Sequence, residues 1–245
     1  MRSALFNGLF WPSLAIFAIA AWLASFLPWR SPLIGTMRTA CHMVRWLMRW
    51  VMGIKVEIRG SIPRQQPVII ASKHQSWADG FIQMSLLGDL NFVIGNGIET
   101  FPLVSRIVAK SGAVMVASPG LRGAEGALQA ALEKAADDPR PMLIFPEGGL
   151  AEVGEAKRYR KGVHLMYETL NRPVVPVAHN LGLRWPQNQW TKFPGPAVIE
   201  FLDPIPPGLP RDAFLPRLQV TIESRTRDLE AEGLAATSPE QEASS

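Results

Sequence analysis

The pattern of apolar and polar positions separates an apolar N-terminal part from a longer region of short alternating elements. Residues 9 to 27 carry no charge and are rich in Leu, Ile, Ala, Phe and Trp. At about 19 residues, this segment is just long enough to cross a bilayer as a helix. Pro12 and Pro28 mark its predicted limits. A cleavable signal peptide is the competing interpretation, because Ala18-Ile19-Ala20 resembles a cleavage site.

The next segment, residues 36 to 52, predicts an amphipathic helix. Its basic positions fall on one helical face, with Met, Trp, Leu and Val over much of the rest: Arg38, His42, Arg45 and Arg49. A basic stripe beside tryptophans is typical of a helix that lies in the headgroup layer of a membrane. The alternative is a surface helix packed on the following domain. We interpret residues 1–52 as a hydrophobic anchor followed by an interfacial helix.

From residue 53 onward, apolar strands alternate with turns and helices. Strands are predicted over 55–59, 68–71, 91–95, 113–117, 142–145, 174–177 and 197–202, and helices over 80–87 and 121–136. Parallel strands need helical crossovers, and this order supplies several. The prediction is therefore an α/β domain over 53–236, with a mixed, mostly parallel sheet flanked by helices. The polar tail, 237–245, is predicted to be disordered.

Charge and cysteine content narrow the possible partners. The net charge is +4, but residues 1–60 hold seven Arg or Lys against one acid, and the remainder holds 18 against 20. A basic excess confined to the apolar part favours an anionic membrane surface over nucleic acid. The single cysteine, Cys41, excludes an internal disulfide and every metal site built from several cysteines. These features fit an enzyme that faces the cytosol.

The first candidate chemistry lies at the turn between the strand over 68–71 and the following helix. His74 and Asp79 are five positions apart and would not share a face of a regular helix. They can meet only if the turn folds back, with His74 before the helix and Asp79 in its first turn. An imidazole oriented by a carboxylate can take a proton from a hydroxyl that the substrate brings. The alternative is a surface histidine beside a helix-capping aspartate.

A second motif, Phe145-Pro146-Glu147-Gly148-Gly149, follows the strand over 142–145. Its two glycines let the backbone approach a ligand closely, with amide N–H groups available for an anion or an oxyanion. Four cations lie just downstream, before another predicted helix: Lys157, Arg158, Arg160 and Lys161. Cations at a helix N-terminus favour an anion site, although an ordinary turn and a solvated basic loop are the alternatives.

Together these motifs resemble those of the bacterial 1-acyl-sn-glycerol-3-phosphate acyltransferases, within the glycerolipid acyltransferase superfamily. His74 and Asp79 stand at the family's His-x4-Asp pair, and residues 145–148 match its Phe-Pro-Glu-Gly motif. Residues 173–177, Pro-Val-Val-Pro-Val, resemble its Val-Pro-Val block. The order and the separations of the motifs also fit.

The resemblance implies acyl transfer from an acyl-carrier protein or coenzyme A thioester to the hydroxyl of a lysolipid, giving phosphatidic acid from 1-acyl-glycerol-3-phosphate. His74 would be the general base and Asp79 its orienting partner. The implied substrate-binding residues are Glu147, Gly148, Gly149, Arg158, Arg160 and Lys161. No metal or redox cofactor is implied. The expected location is the inner membrane, with the active domain facing the cytoplasm.

Several family cations are absent. Gly149 and Leu150 stand where the family commonly has Thr-Arg, and residues 95–98 and 117–118 lack the charges of two further family blocks. Either other cations bind the acceptor phosphate, chiefly Arg158, Arg160 and Lys161 and less directly Lys73, Arg106 and Arg122, or the acceptor is another lysolipid, such as a lyso-aminolipid. A weakly active membrane lipid-binding or scaffolding protein is the alternative from another functional class.

Overall fold

A seven-stranded sheet forms the centre of the molecule. The computed structural model describes residues 1–64, 66–95, 102–116 and 124–236. The strands are β1 Ile54–Arg59, β2 Ile69–Ser72, β3 Asn91–Gly95, β4 Val114–Val116, β5 Met142–Ile144, β6 Val174–His179 and β7 Gly195–Phe201. Their spatial order is β1-β7-β6-β2-β5-β3-β4. The pair β6 and β7 is antiparallel and the other neighbours are parallel, so the predicted mixed, mostly parallel sheet is confirmed.

The helices are α1 Arg2–Ala24, α2 Ser31–Leu47, α3 Ala78–Leu87, α4 Pro102–Ser111, α5 Ala124–Lys134, α6 Gly162–Leu170 and α7 Arg211–Ala235. A π-helical turn, Met48–Met52, continues α2. The predicted start of α1 was wrong, because the helix begins at Arg2 and passes through Pro12; it ends at Ala24, before the predicted limit at Pro28. The predicted tail and the segments 96–101 and 117–123, which include Arg122, lie outside the described residues.

α7 was not predicted because its buried face is partly polar. The residues on this face are Phe214, Leu218, Ile222, Glu223, Thr226, Leu229, Glu230 and Gly233. Two glutamates and a threonine interrupt the apolar period that marks an amphipathic helix. Pro216 lies inside the helix and weakens the helical pattern further. Packing against the sheet, rather than a clear pattern, explains this 25-residue helix.

Alternating side chains of the strands build a core on each face of the sheet. Along β2, Ile70 packs in the core that α1, α2 and α3 cover, whereas Ile69 and Ala71 pack in the core beneath α5, α6 and α7. The first core also holds Phe6 and Val44, from α1 and α2. Residues on both sides of the boundary predicted at residue 52 therefore share one core.

The outer surface of the N-terminal helices combines two of the predicted features. α2 buries Cys41, Val44 and Leu47, as a helix packed on the domain does. Its basic and tryptophan side chains nevertheless remain outside: Arg38, His42, Trp46, Arg49 and Trp50 are exposed. By length and composition α1 is apolar enough to cross a membrane, and only 22% of its most apolar stretch is buried.

Candidate active site

Three adjacent parallel strands end at the same edge of the sheet. β2 lies between β5 and β6, so the residues that follow these strands meet there. β2 leads to His74, β5 leads to Glu147, and β6 ends at His179. The carboxyl edge of the strands is where α/β sheets bind ligands. The order of the strands therefore brings together two motifs that are about 70 residues apart.

The turn after β2 folds back so that His74 and Asp79 meet. His74 Nδ1 lies 3.0 Å from Asp79 Oδ2, and Asp79 is in the first turn of α3. The same oxygen accepts the backbone N–H groups of Gln75 at 2.8 Å and Ser76 at 2.9 Å. Three donors on one buried oxygen keep the carboxylate in place. Because Nδ1–H donates to Asp79, the lone pair of His74 lies on Nε2.

The His74 ring is stacked and partly accessible. It lies on the Phe145 ring with a centroid distance of 3.9 Å and an interplanar angle of 14°. Its side chain is 22% exposed, whereas Asp79 is fully buried. The backbone carbonyl of His74 accepts the Ala151 N–H at 2.7 Å. The imidazole is thus held on one side by Asp79 and on its face by Phe145, while part of the ring stays open to a substrate.

His179 supports the turn from β6. Its Nε2–H donates to the Lys73 carbonyl at 2.7 Å, and Nε2 is 3.5 Å from Asp79 Oδ1. Its Nδ1 accepts the Leu181 N–H at 3.4 Å. These two contacts assign a neutral ring with its proton on Nε2. This fully buried histidine therefore belongs to the support of the site and does not face substrate.

Glu147 and Lys73 form a buried ion pair next to His74. Glu147 Oε1 accepts the His74 backbone N–H at 3.1 Å and lies 3.3 Å from Lys73 Nζ. Glu147 Oε2 has no hydrogen-bond partner among the described residues. Burial raises the pKa of the Glu147 carboxyl to about 7, against the opposing charge of Lys73. Lys73 was a less direct candidate for binding phosphate, but it is fully buried and its charge faces carboxylates.

The two glycines after Glu147 differ. Gly148 adopts a φ of +70°, and a Cβ there would lie 3.0 Å from Arg160 Cγ. Its N–H donates to the Phe145 carbonyl at 3.0 Å and closes the turn. The Gly149 N–H, by contrast, has no acceptor among the described residues, and the space around Gly149 is open. Only the second of the two expected amides is thus available to an anion or an oxyanion.

The predicted anion-binding cations point to different surfaces. The Arg160 side chain packs on Gly148 and its Nε–H donates to the Glu147 carbonyl at 3.5 Å, while its backbone N–H donates to the Pro146 carbonyl at 2.7 Å. Arg158 instead lines a groove of about 750 Å³ against α7. Lys161 is exposed at the N-cap position of α6, and its side chain makes no capping hydrogen bond. Of these three cations, only Arg160 is seen in contact with the turn that carries Glu147. Arg106, a further candidate, donates to Ser25 Oγ at 3.1 Å at the end of α1.

Comparisons with known proteins agree with this geometry. A family model described as "Acyltransferase" matches residues 53–180, which include both motifs. The chain is 30% identical over 238 residues to a 1-acyl-sn-glycerol-3-phosphate acyltransferase of Pseudomonas aeruginosa, covering 95% of this chain and 87% of the relative.

The chain belongs to the acyltransferase family. A crystal structure of the 1-acyl-sn-glycerophosphate acyltransferase of Thermotoga maritima shares its fold, with a TM-score of 0.76, 18% identity and coverage of 94% of this chain and 98% of the other. A lyso-ornithine lipid O-acyltransferase of Rhizobium meliloti is 25% identical over 111 residues, or 42% of this chain and 37% of that protein. The predicted family and fold are therefore confirmed.

In this acyltransferase, the sequence did not reveal the groups that support the turn at His74, although Lys73 was named as a less direct candidate for binding phosphate. Lys73 directly follows β2 and His179 is the last residue of β6, and these positions at strand ends were the available signal. Glu223 and Glu230 of α7 lie beyond the residues that the family model matches. No group of three metal-ligating side chains occurs within the described ranges.

Proposed function

We propose that this acyltransferase moves a fatty acyl group from a thioester of acyl-carrier protein or coenzyme A to the hydroxyl of a lysolipid. The preferred acceptor is 1-acyl-glycerol-3-phosphate, which gives phosphatidic acid. The observation that carries the proposal is the His74–Asp79 pair, with Nδ1 engaged at 3.0 Å and the Nε2 side of the ring left to a substrate. The relative from Pseudomonas aeruginosa supports the choice of acceptor.

In the proposed reaction, His74 Nε2 takes the proton of the acceptor hydroxyl while its oxygen attacks the thioester carbonyl carbon. Asp79 stabilises the imidazolium that forms, and the Gly149 N–H is available for the developing oxyanion. The C–S bond then breaks, and the imidazolium returns its proton to the leaving thiolate. Products are an ester and a free thiol, so the atoms and protons balance without a metal or a redox cofactor. General-base transfer contributes about 10² to 10⁴ in rate, and one oxyanion donor about 10² to 10³.

The proposed location is the inner membrane, with the active domain on the cytoplasmic side. The exposed apolar side chains of α1 and the basic face of α2 with Trp46 and Trp50 support contact with an anionic lipid surface. Lysolipid acceptor and diacyl product both reside in that surface. This location also gives the enzyme access to cytosolic thioester donors.

The test is a panel of lysolipids, assayed with the purified protein in detergent and with each of the two thioester donors. Esterification of 1-acyl-glycerol-3-phosphate is expected, and His74→Ala should lower the rate by about 10² to 10⁴. His164→Ala, on α6, is the matched control and should retain the rate. The proposal fails if no lysolipid is esterified, and the base assignment fails if His74→Ala keeps its turnover.

A second candidate acceptor is a lyso-aminolipid. The partial similarity to a lyso-ornithine lipid O-acyltransferase favours it, as does the absence of charge at Gly149 and Leu150. The two acceptors differ in whether they need Arg160, the arginine that packs on Gly148: a phosphate acceptor needs its positive charge, whereas an acceptor without a phosphate does not. If the acceptor carries a phosphate, Arg160→Ala should raise its KM about 10-fold or more, because a hydrogen bond to a charged group contributes about 1.5–3 kcal/mol.

Arg158→Ala provides the comparison, because Arg158 leaves the same loop toward the groove against α7. Its effect on the KM of the phosphate acceptor should be less than about twofold, the size of a long-range surface charge effect. Equal effects of Arg158→Ala and Arg160→Ala would contradict the proposed place of the phosphate. Faster turnover of a lyso-ornithine lipid than of 1-acyl-glycerol-3-phosphate would make the second candidate the function.

A further inference from the structure

Two buried carboxylates of α7 hold the residues on either side of His74. Glu223 and Glu230 are seven positions apart, or about two helical turns, so both face the sheet. Both Glu223 carboxylate oxygens lie 3.0 Å from Lys73 Nζ. Glu230 Oε1 accepts Gln75 Nε2–H at 2.6 Å. One helix thus holds the residue before the proposed base and the residue after it.

The same carboxylates also hold the segment that follows Gly149. Tyr159 donates its hydroxyl to Glu223 Oε1 at 3.0 Å. The Gly154 N–H donates to Glu230 Oε1 at 3.2 Å. Lys73 Nζ additionally donates to the Glu155 carbonyl at 2.8 Å. α7 therefore connects to the backbone on both sides of the site, the turn after β2 and the loop after β5.

A continuous path of contacts runs from α7 to the backbone of the base. Glu223 contacts Lys73, the Lys73 ammonium lies 3.3 Å from Glu147 Oε1, and that oxygen accepts the His74 N–H at 3.1 Å. Stability alone does not require such a path, because well-packed apolar residues often replace a buried ion pair without loss. These polar contacts are directional: they restrain the side chains of Lys73 and Gln75, the two neighbours of His74 in the chain, and that of Glu147, which accepts the His74 N–H.

We propose that Glu223 and Glu230 are positioning residues for acyl transfer, which hold the turn around His74 so that Nε2 faces the acceptor hydroxyl. The inference rests on the proposed function and extends it to a helix that the family model does not match. Neither glutamate touches substrate; both act through Lys73 and Gln75. Their loss is expected to misplace the base while leaving the lysolipid-binding surface in place.

The test compares three Glu→Gln substitutions on α7. Glu223→Gln and Glu230→Gln should each lower kcat about 10- to 100-fold with the lysolipid KM changed less than about twofold, because small displacements of a catalytic group have effects of this size. Glu232→Gln is the matched control: its exposed carboxylate pairs with Arg59 and Arg225 at the surface, and kcat should not change. Glu223→Asp keeps the charge and should recover part of the lost kcat.

Backbone hydrogen exchange gives a second result that does not need turnover. In Glu223→Gln and Glu230→Gln, the peptide covering residues 72–80 should exchange faster, while the peptide covering β6 should exchange as in the wild type. If the wild type esterifies no lysolipid, the proposed function fails, yet the exchange measurement still decides whether α7 holds the turn.

Two results would overturn the inference. One is a folded Glu223→Gln and Glu230→Gln pair with wild-type kcat and wild-type exchange over residues 72–80. The other is a lower thermal stability with unchanged kcat, which would limit these contacts to support of the fold. Should Glu223→Gln fail to fold because it leaves Lys73 with one carboxylate fewer, Glu230→Gln decides the question, since Glu230 bonds a neutral amide.

Discussion

The helices on the two faces of the sheet both bury apolar side chains against it, but their exposed side chains differ in polarity. α1 and α2 bury Phe6, Phe10 and Val44 against one face, as α7 buries Phe214 and Leu218 against the other. Outward, apart from Arg2 at its first position, the bulky exposed side chains of α1 are apolar: Leu5, Leu9, Trp11, Ile16, Ile19 and Leu23. α7 exposes Val220 and Leu234, but charged side chains predominate on its outer surface: Arg211, Asp212, Arg217, Arg227 and Asp228.

This difference assigns different surroundings to the two faces. Large contiguous apolar surfaces are rare on soluble monomers and mark contact with a membrane or another protein. The charged surface of α7 is that of a helix in water. The turn that carries His74 lies at the edge of the sheet between the two layers, and Glu223 and Glu230 of α7 contact its residues Lys73 and Gln75. The helices α1 and α2 therefore have two roles: their inner side chains complete the core, and the outer side chains of α1 form an exposed apolar surface.

The largest effect is expected at the inner side of α1. Phe6→Ala should lower the free energy of unfolding by about 3–5 kcal/mol, because Phe6 is fully buried and packs edge-on against Trp185 with a centroid distance of 5.0 Å. Leu5→Ala, one position away and 58% exposed, should change it by less than about 0.5 kcal/mol. Denaturant titration in detergent measures both. Equal, small changes would show that α1 is not part of the core.

This core role also decides how membrane contact should be tested. Removing residues 1–52 would strip Phe6, Phe10, Val44 and Met48 from the first core, so loss of membrane attachment could reflect unfolding. Substitutions confined to exposed positions avoid this problem. α1 and α7 offer a closely matched pair for them.

The next effect, on membrane binding, separates the two outer surfaces. Ile16 of α1 is 67% exposed and Val220 of α7 is 65% exposed. Ile16→Lys should weaken binding to vesicles of anionic phospholipid about 10²-fold, since a lysine near the centre of an inserted helix costs about 2.5–3.5 kcal/mol. Val220→Lys should not weaken it. Co-sedimentation measures both, and equal binding by the two variants would contradict the membrane role of α1.

Features that depend on neighbouring residues in the chain were predicted from the sequence. Buried strands are recognisable as short apolar runs, so the bounds of β2, β3 and β5 were predicted to within about one residue. The pairing of His74 with Asp79 was also accessible, because the spacing of five forbids a helical face and leaves only a fold-back. Both are local properties of the chain.

What the sequence did not reveal depends on contacts between distant segments. α7 was not predicted because Glu223 and Glu230 occupy its buried face. There they bond Lys73 and Gln75, which are more than 140 positions away in the sequence. Arg158 lines the groove against α7 whereas Arg160 packs on Gly148, and no pattern in a loop predicts this difference. The use of the Gly148 amide within its own turn likewise appears only in three dimensions.

The smallest effect expected is on the pH dependence of the free energy of unfolding. The buried carboxylate of Glu147 and the exposed carboxylate of Glu232 change this free energy in opposite directions as pH rises. Burial raises the pKa of Glu147 from its ordinary value of 4.5 to about 7. Below pH 4.5, both the folded and the unfolded protein carry this group protonated, and it contributes nothing. As pH rises from about 4.5 to 7, the unfolded chain releases the proton first, so the free energy of unfolding falls, by up to about 3 kcal/mol.

Glu147→Gln cannot ionise but keeps an oxygen to accept the His74 N–H, so this fall between pH 4.5 and 7 should be absent. The exposed Glu232 has its pKa lowered by its hydrogen bond to Arg59, so it stabilises the fold above its ordinary pKa and loses this effect as pH falls. Glu232→Gln should therefore leave the fall between pH 4.5 and 7 in place. Denaturant titrations of the wild type and both variants at pH 5 and pH 7.5 measure the difference. A wild-type fall that persists in Glu147→Gln would mean that another group binds the proton, and that the Lys73–Glu147 pair is ionised throughout this range.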